Sequence, residues 1–491
     1  MKKAEVVFIP LPAMGHVIAA VEMAKLIVER GDRVSTSVLI MHPALDPSTT
    51  KYTESLSAST LPNGMRVVDL PSFDQTAVSN TGGDWMASLS EAQKPYVKEF
   101  VSRIKTQSEL SPDSPRLAGF VFDTFVLGME DLAEEFGVPW YVFSASGAAF
   151  IGSILHLQAL HDEQKVDLFE FENSDAELEI PSLVNRFPAK LLPSTVLNRQ
   201  AFPAFLDAAR RLRKTRGIVI NTFKEFESHA VESLSNGEIP PVYPVGPIVR
   251  RQGNDYDFGS DRINDYKDIM QWLDDQPPSS VLFICFGSWG SFSADQVKEI
   301  ACALEQCGHR FLWCLRKPSS SKAKIESPSD YVNFQEILPL GFLDRTVETG
   351  KVIGWAPQVE ILAHKAVGGF VSHCGWNSIL ESILFGVPIA AWPLYAEQQL
   401  NAFQMVIELG LAVEIKIDHR KDAFLDGSTE VIVSSDDIKE RVKFVMEQDS
   451  EIRNKVKEMS QLSRKALMEN GSSCSALHLL IEDMMKNIAS S

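Results

Sequence analysis

A chain of 491 residues is longer than a single hydrophobic core usually serves, so two domains are expected. Hydrophobic residues make up 45% and charged residues 23%, an ordinary globular balance that excludes wholesale disorder. The net charge of −18 argues against a nucleic acid or an anionic membrane as principal partner, because both require basic patches.

In chain order, Val6–Leu11 reads as a buried strand, followed by a Pro/Gly loop through Gly15. Lys2 and Lys3 ahead of that apolar run superficially resemble a signal peptide, but Glu5, Pro10 and Pro12 interrupt it and no small-residue cleavage site follows. From His16 to Arg30, Val17, Val21, Ala24 and Val28 mark one helical face. Strands are then predicted at Arg33–Met41, Met65–Leu70, Gly119–Phe122, Trp140–Phe143 and Gly217–Asn221, with helices between most of them. Between about Pro240 and Ser260 the pattern lapses into a Pro-, Gly- and Asp-rich stretch, the best interdomain linker. It resumes with strand Val281–Gly287, a capping box Ser293-x-x-Gln296 that opens a helix, and strand Phe311–Leu315. After an exposed polar loop over 317–330 come strand Val352–Gly354, helix Val359–Lys365, strand Gly369–Ser372, helix Trp376–Phe385 and strand Val387–Ala391, with helices from Ser435 onward.

Strands that alternate with helices imply parallel sheets covered on both faces. The expected architecture is α/β: two Rossmann-like, doubly wound domains facing a cleft. The expected boundaries are 1–250 for the first domain, 251–268 for the linker and 269–475 for the second. The six cysteines, at 285, 302, 307, 314, 374 and 474, form no C-x-x-C pair, so neither a disulfide framework nor a zinc site is expected. No run of about 18 apolar residues is present to span a membrane, and a cytoplasmic location is the expectation.

Ligands of doubly wound sheets bind beyond the carboxyl ends of strands, where loops lead into helices. The most informative such loop is His373-Cys374-Gly375, between a buried strand and the helix that begins at Trp376. A helix N-terminus offers unpaired N–H groups and partial positive charge to phosphate. Gly375 permits close backbone approach, Asn377 and Ser378 add donors, and Glu381 can accept from ribose hydroxyls, a pattern that fits a nucleotide diphosphate. The 44 residues from Trp355 to Gln398 closely resemble the signature box of the plant secondary-product glycosyltransferases, the UDP-sugar-dependent enzymes of family 1. The likeness extends to the first strand–loop–helix, to FGSWG at 286–290 and to LPLGFLDRT at 338–346, and so covers the whole chain.

That resemblance implies the GT-B fold, with the last helix, Ala476–Ile488, packing back onto the first domain. It implies that Trp355, with the adjoining Ala356, stacks on uracil, and that Gln358 and Glu381 hold the ribose. His373, Gly375, Asn377, Ser378 and Ser288 would bind the diphosphate, and Trp376, Glu397 and Gln398 the sugar. A final Gln with the internal Trp favours glucose as the sugar.

A phenolic hydroxyl titrates near pKa ~10 and needs a base to become a nucleophile at neutral pH. His16, where the first loop turns into a helix, has a suitable pKa, and Asp123, at the end of strand GFVFD, could fix its tautomer and stabilise the imidazolium. Both positions match the family's catalytic pair. Met14, Phe125 and Phe150 are candidate acceptor-pocket walls, while Ser144 and Ser146 could touch the sugar or line that pocket. The expected reaction is inverting transfer of glucose from UDP-glucose to a hydroxyl of a small apolar molecule, a flavonoid or other phenolic before a terpenoid. No cofactor is expected, and no metal at the diphosphate. A nicotinamide-dependent oxidoreductase is disfavoured because the first loop reads PLPAMGH rather than G-x-G-x-x-G. A non-catalytic nucleotide-sugar-binding protein is the remaining alternative, and the presence of His16 and Asp123 counts against it.

Overall fold

The structure, a computed structural model, describes residues 3–42, 47–58, 61–72, 85–111, 113–126, 128–172, 174–199, 201–250, 262–318, 328–420 and 431–489. The front sheet contains β1 (Ala4–Ile9), β2 (Val34–Ile40), β3 (Met65–Asp69), β4 (Arg116–Asp123) and β5 (Trp140–Ser144). A small antiparallel hairpin follows, β6 (Glu177–Leu178) with β7 (Phe187–Pro188), before β8 (Ile218–Ile220) and β9 (Val242–Pro244) rejoin the sheet. The sheet order is β3-β2-β1-β4-β5-β8-β9, and every neighbouring pair is parallel. The back sheet contains β10 (Val281–Cys285), β11 (Arg310–Cys314), β14 (Gly350–Ile353), β15 (Val367–Ser372), β16 (Ile389–Ala391) and β17 (Ala412–Glu414). Its order is β14-β11-β10-β15-β16-β17, again all parallel. A second hairpin, β12 (Arg316–Lys317) with β13 (Ser329–Asp330), stands apart from it. The two α/β domains expected from the alternating pattern are therefore present.

In each sheet the strand order reverses between the first strand and the fourth: β1 beside β4 in front, β10 beside β15 behind. At such a reversal the two outgoing loops diverge and leave a crevice, the position where doubly wound sheets bind ligands. The strands are near-continuous apolar runs because helices cover both faces. β1 and β10 are buried along their whole length. Trp313, Trp392, Phe283 and Phe311 are among the largest fully buried side chains, and each contributes on the order of 2–3 kcal/mol by burial.

Several predicted boundaries move. β1 starts at Ala4 rather than Val6, and its helix starts at Met14 rather than His16. The lapse in pattern after Pro240 conceals an edge strand, β9, where Tyr243 is buried although Pro241 and Pro244 flank it. Pro tolerates an edge because it has no ladder hydrogen bond to donate there. The predicted linker, 251–268, lies outside the described residues as far as 261, and from Ile263 to Asp274 the chain is helical. Most of the polar loop predicted over 317–330 also lies outside the described residues, and its two ends form the β12–β13 hairpin. Ser293 caps its helix by accepting from the Gln296 N–H, but the reciprocal half of the capping box is absent. The Gln296 amide instead donates to and accepts from the Val433 backbone.

The last helix, Ser472–Ala489, packs Ala476, Leu477, Leu480, Ile481, Met484 and Ile488 into the core of the front sheet. Asp483 anchors it by accepting from the Tyr141 hydroxyl at 2.8 Å and from both Arg216 nitrogens at 2.8 and 3.1 Å. All six cysteines are free thiols. Among the described residues no helix is long and apolar enough to cross a membrane.

Candidate functional site

The loops at the two reversal points meet one another. His16 follows β1 and Asp123 ends β4, so the front crevice brings together residues 107 positions apart. His16 Nδ1 lies 2.7 Å from Asp123 Oδ2. Asp123 is buried, its Oδ1 accepts from the Phe125 N–H at 3.0 Å, and the His16 side chain keeps 25% of its surface open. Burial is the strongest influence on this imidazole and opposes its charged form. The charge and hydrogen bond of Asp123, with a further contribution from Glu397, outweigh that burial and raise the His16 pKa above its ordinary value. With Nδ1 held by the carboxylate, Nε2 is the nitrogen left for chemistry.

Behind, β10 runs into Gly287 and Ser288, and β15 into His373, Cys374 and Gly375. Gly287 adopts φ +73° and Gly375 caps the next helix, and a Cβ on either would come within 2.6 Å of His373 Nε2. The imidazole is thus clasped between two glycines that nothing larger could replace without displacing it. Burial pushes the His373 pKa down to about 4, so the ring is neutral, and its buried Nδ1 has no partner among the described residues. Cys374 takes a left-handed conformation, φ +60°, uncommon for a residue with a Cβ. The Asn401 amide fixes that turn by donating to the Cys374 carbonyl at 3.0 Å. Among the described residues no side chain caps helix Trp376–Phe385 at its N-terminus, which leaves its first-turn N–H groups available to an anion. The helix stops at Gly386, φ +73°, whose N–H bonds back to Ile383 and Ser382.

One turn into that helix, Gln358 Nε2 donates to Ser378 Oγ at 2.8 Å and to Glu381 Oε2 at 2.6 Å. Desolvation, opposed by the Gln358 hydrogen bond and the Arg250 charge, raises the Glu381 pKa to about 7. Arg250 itself forks onto Glu360 at 2.8 and 2.9 Å. Trp355 is half-buried beside Ala356, with the Arg262 guanidinium 5.5 Å from its ring centre. Ser288 is exposed in its loop.

Hydrogen bonds join the front and back loops. Asn377 Nδ2 donates to the Gly15 carbonyl at 2.9 Å, the Trp376 indole N–H donates to the Asn221 carbonyl at 2.7 Å, Ser146 Oγ lies 3.3 Å from Glu397 Oε1, and Gln404 Nε2 lies 2.8 Å from Glu227 Oε1. The two crevices therefore face each other.

Not every predicted residue offers what the sequence suggests. Trp376 is buried with its indole N–H committed to Asn221, so that group is not free for a sugar. Gln398 turns its carbonyl oxygen into its own loop, accepting from the Leu394 and Tyr395 N–H groups at 2.9 and 3.1 Å. Only its amide nitrogen remains to donate outward. Ser144 closes a local turn with Ser146, its hydroxyl donating to the Ser146 carbonyl at 3.0 Å. Phe150 is core, packed 6.4 Å from the half-buried Phe125, while Met14 is half-buried against the front core. Asn221, Glu227 and Gln404 are absent from the sequence-based list, because no local pattern marks residues whose partners lie on the other domain. A cavity of about 620 Å³ lies elsewhere along the seam, between Arg186 and Lys190 of the front domain and Phe403 and Asp418 of the back.

Two facing doubly wound domains with an anion-ready helix terminus on one and a His–Asp pair on the other define a transferase of nucleotide-activated groups. A sequence profile described as "UDP-glucoronosyl and UDP-glucosyl transferase" matches residues 266–465. The chain is 52% identical, over 99% of its length and 99% of the relative's, to "UDP-glucose flavonoid 3-O-glucosyltransferase 6" of Fragaria ananassa. It is 54% identical, over 96% of its length and all of the relative's, to "Anthocyanidin 3-O-glucosyltransferase 1" of Manihot esculenta. It also superimposes on a Medicago truncatula glycosyltransferase crystallised with UDP-glucose, with TM-score 0.83, 36% identity and 98% of each chain covered. The chain belongs to this family, as a plant UDP-glycosyltransferase of the GT-B fold.

Proposed function

We propose that the protein transfers glucose from UDP-glucose to a hydroxyl of a flavonoid or related phenolic, with inversion and without a metal, giving a β-O-glucoside. The observation that carries this reading is the 2.7 Å His16–Asp123 pair, set at one crevice and joined through Gly15 and Asn377 to the other. The names of the relatives, flavonoid and anthocyanidin glucosyltransferases, support the donor and the acceptor class.

Mechanism follows from the groups present. The UDP moiety occupies the back crevice, with uracil on Trp355 and ribose hydroxyls on Glu381. The diphosphate lies at the N-terminus of helix Trp376–Phe385, beside His373, Asn377, Ser378 and Ser288. His16 Nε2 takes the proton of the acceptor hydroxyl as its oxygen attacks the anomeric carbon from the face opposite UDP. Asp123 stabilises the imidazolium that forms. The C–O bond to UDP breaks, and the departing charge is received by the fixed dipoles of the helix terminus, which need no reorganisation. Glu397, beside Ser146, and the Gln398 amide hold the sugar hydroxyls. The front wall, with Met14 and Phe125, supplies apolar contact to the acceptor.

The test is incubation with UDP-glucose and a panel of phenols and terpenoid alcohols, scored for UDP release and for products by mass spectrometry and anomeric NMR coupling. A β-glucoside formed equally well in excess chelator is the expected result. UDP-glucose binding without transfer to any acceptor would instead mark a nucleotide-sugar-binding protein.

A further inference from the structure

Glu227 lies outside the signature segment and in no strand or regular helix of either crevice, yet it is 97% buried, with 3% of its surface exposed. Its two oxygens serve both domains. Oε2 accepts from the Ala148 N–H at 2.8 Å and Oε1 from the Ala149 N–H at 2.9 Å, which caps helix Ala148–Asp162 where no residue of the helix's own N-cap does so. Oε1 also accepts from Gln404 Nε2 of the back domain at 2.8 Å.

Each partner leads to a group beside the sugar. The capped helix is preceded immediately by the Ser144–Gly147 turn, which presents Ser146 Oγ to Glu397. Gln404 opens a π-helical turn, Gln404–Glu408, continuous with the helix that starts at Gln398 directly after Glu397. Between the two, Gly147 lies against the Trp376 ring, where an added Cβ would come within 2.5 Å of the indole and 2.8 Å of Glu227 itself. One buried carboxylate therefore ties the front-domain turn and the back-domain helix that converge on Glu397. π-turns of this kind recur at functional sites, and this one sends a second polar residue across the seam: Glu408 accepts from the Val184 and Asn185 N–H groups at 2.8 and 2.7 Å.

We infer that Glu227 is a positioning residue for the sugar half of the donor, setting Glu397 and Ser146 in register across the domain seam without touching the uridine half. The inference rests on the donor placement proposed above. Its consequence is selective: loss of Glu227 weakens the binding of UDP-glucose but not of UDP, which carries no sugar.

The experiment measures calorimetric affinities of UDP and of UDP-glucose, with KM and kcat, for the wild type and for Glu227→Gln, Gln404→Met and the exchange double variant Glu227→Gln/Gln404→Glu. The single variants are expected to lose at least fivefold in UDP-glucose affinity while UDP affinity stays within twofold. The exchange variant restores an acceptor–donor pair across the seam and is expected to recover most of the loss. Gln404→Met keeps the helix cap intact and gives the same reading if Glu227→Gln does not fold. Equal loss of UDP and UDP-glucose affinity, unchanged affinity for both, or no recovery in the exchange variant would each overturn the inference. Failure of the wild-type protein to bind UDP would overturn the donor placement itself.

Discussion

Asn377 Nδ2 donates to the Gly15 carbonyl at 2.9 Å, so the first turn of helix Trp376–Phe385 holds the backbone next to His16. A Cβ on Gly15 would sit 3.1 Å from that same nitrogen, inside comfortable contact. Gly15→Ala must therefore displace either the Asn377 amide or the His16 loop by a few tenths of an ångström. A misplacement of this kind is expected to lower kcat/KM about tenfold, roughly 1.4 kcal/mol of transition-state stabilisation. Steady-state kinetics at saturating UDP-glucose check it, and unaltered kcat/KM would show that the contact is incidental.

His16 carries a pKa raised by Asp123 against the opposing pull of burial. In the proposed mechanism its neutral form is the base, so activity is expected to rise with pH along a limb centred above the ordinary histidine value of about 6.5. Asp123→Asn removes the charge that favours imidazolium. The limb should then move to lower pH while kcat falls on the order of 10²- to 10⁴-fold, because tautomer and charge stabilisation are lost together. A pH–rate profile of kcat/KM for both proteins gives the shift, and a limb that stays in place would separate Asp123 from His16 ionisation.

What the sequence makes legible is set by range. Helix Trp376–Phe385 is recovered to the residue because its signals are local: Gly375 before it, Gly386 after it and an apolar face between. His16 and Asp123 are readable as strand-end residues, and the carboxyl-end rule then places them at one edge. β9 is hidden because three residues, the last a proline, carry no periodicity, and pairing with β8 alone makes them a strand. Glu227 and Asn221 are illegible for a similar reason. Each is one polar residue in the run NTFKEFE, and its role across the seam exists only once Gln404 or Trp376 arrives from the other domain.

Glu381 has a pKa of about 7, raised by desolvation and only partly offset by Gln358 and Arg250. At neutral pH it is close to half-ionised, and the ribose hydroxyls proposed to bind there would donate best to the ionised form. UDP-glucose affinity is therefore expected to increase with pH through about 7, with proton release on binding below that pH. UDP-glucose suits the measurement because its esterified diphosphate does not titrate in this range. Calorimetry in buffers of different ionisation enthalpy reports the released proton, and Glu381→Gln should bind more weakly and without the pH dependence. A wild-type affinity flat from pH 6 to 8 would remove the carboxylate from the ribose.

Trp376 separates two roles that sequence alone merges. If the indole N–H held glucose, Trp376→Phe would lose donor affinity and keep its thermal stability. The structure places that N–H 2.7 Å from the Asn221 carbonyl, in a buried contact between domains where the ring also packs 5.7 Å from Phe226. Phenylalanine retains most of the packing but strands a buried carbonyl, a loss on the order of 1–3 kcal/mol. The expected outcome is a Tm lower by a few degrees with UDP and UDP-glucose affinities reduced in equal proportion, since the helix terminus proposed to receive the diphosphate begins at this residue. Thermal melts alongside calorimetry decide between the two. A selective loss of UDP-glucose binding at unchanged Tm would return the indole to the sugar.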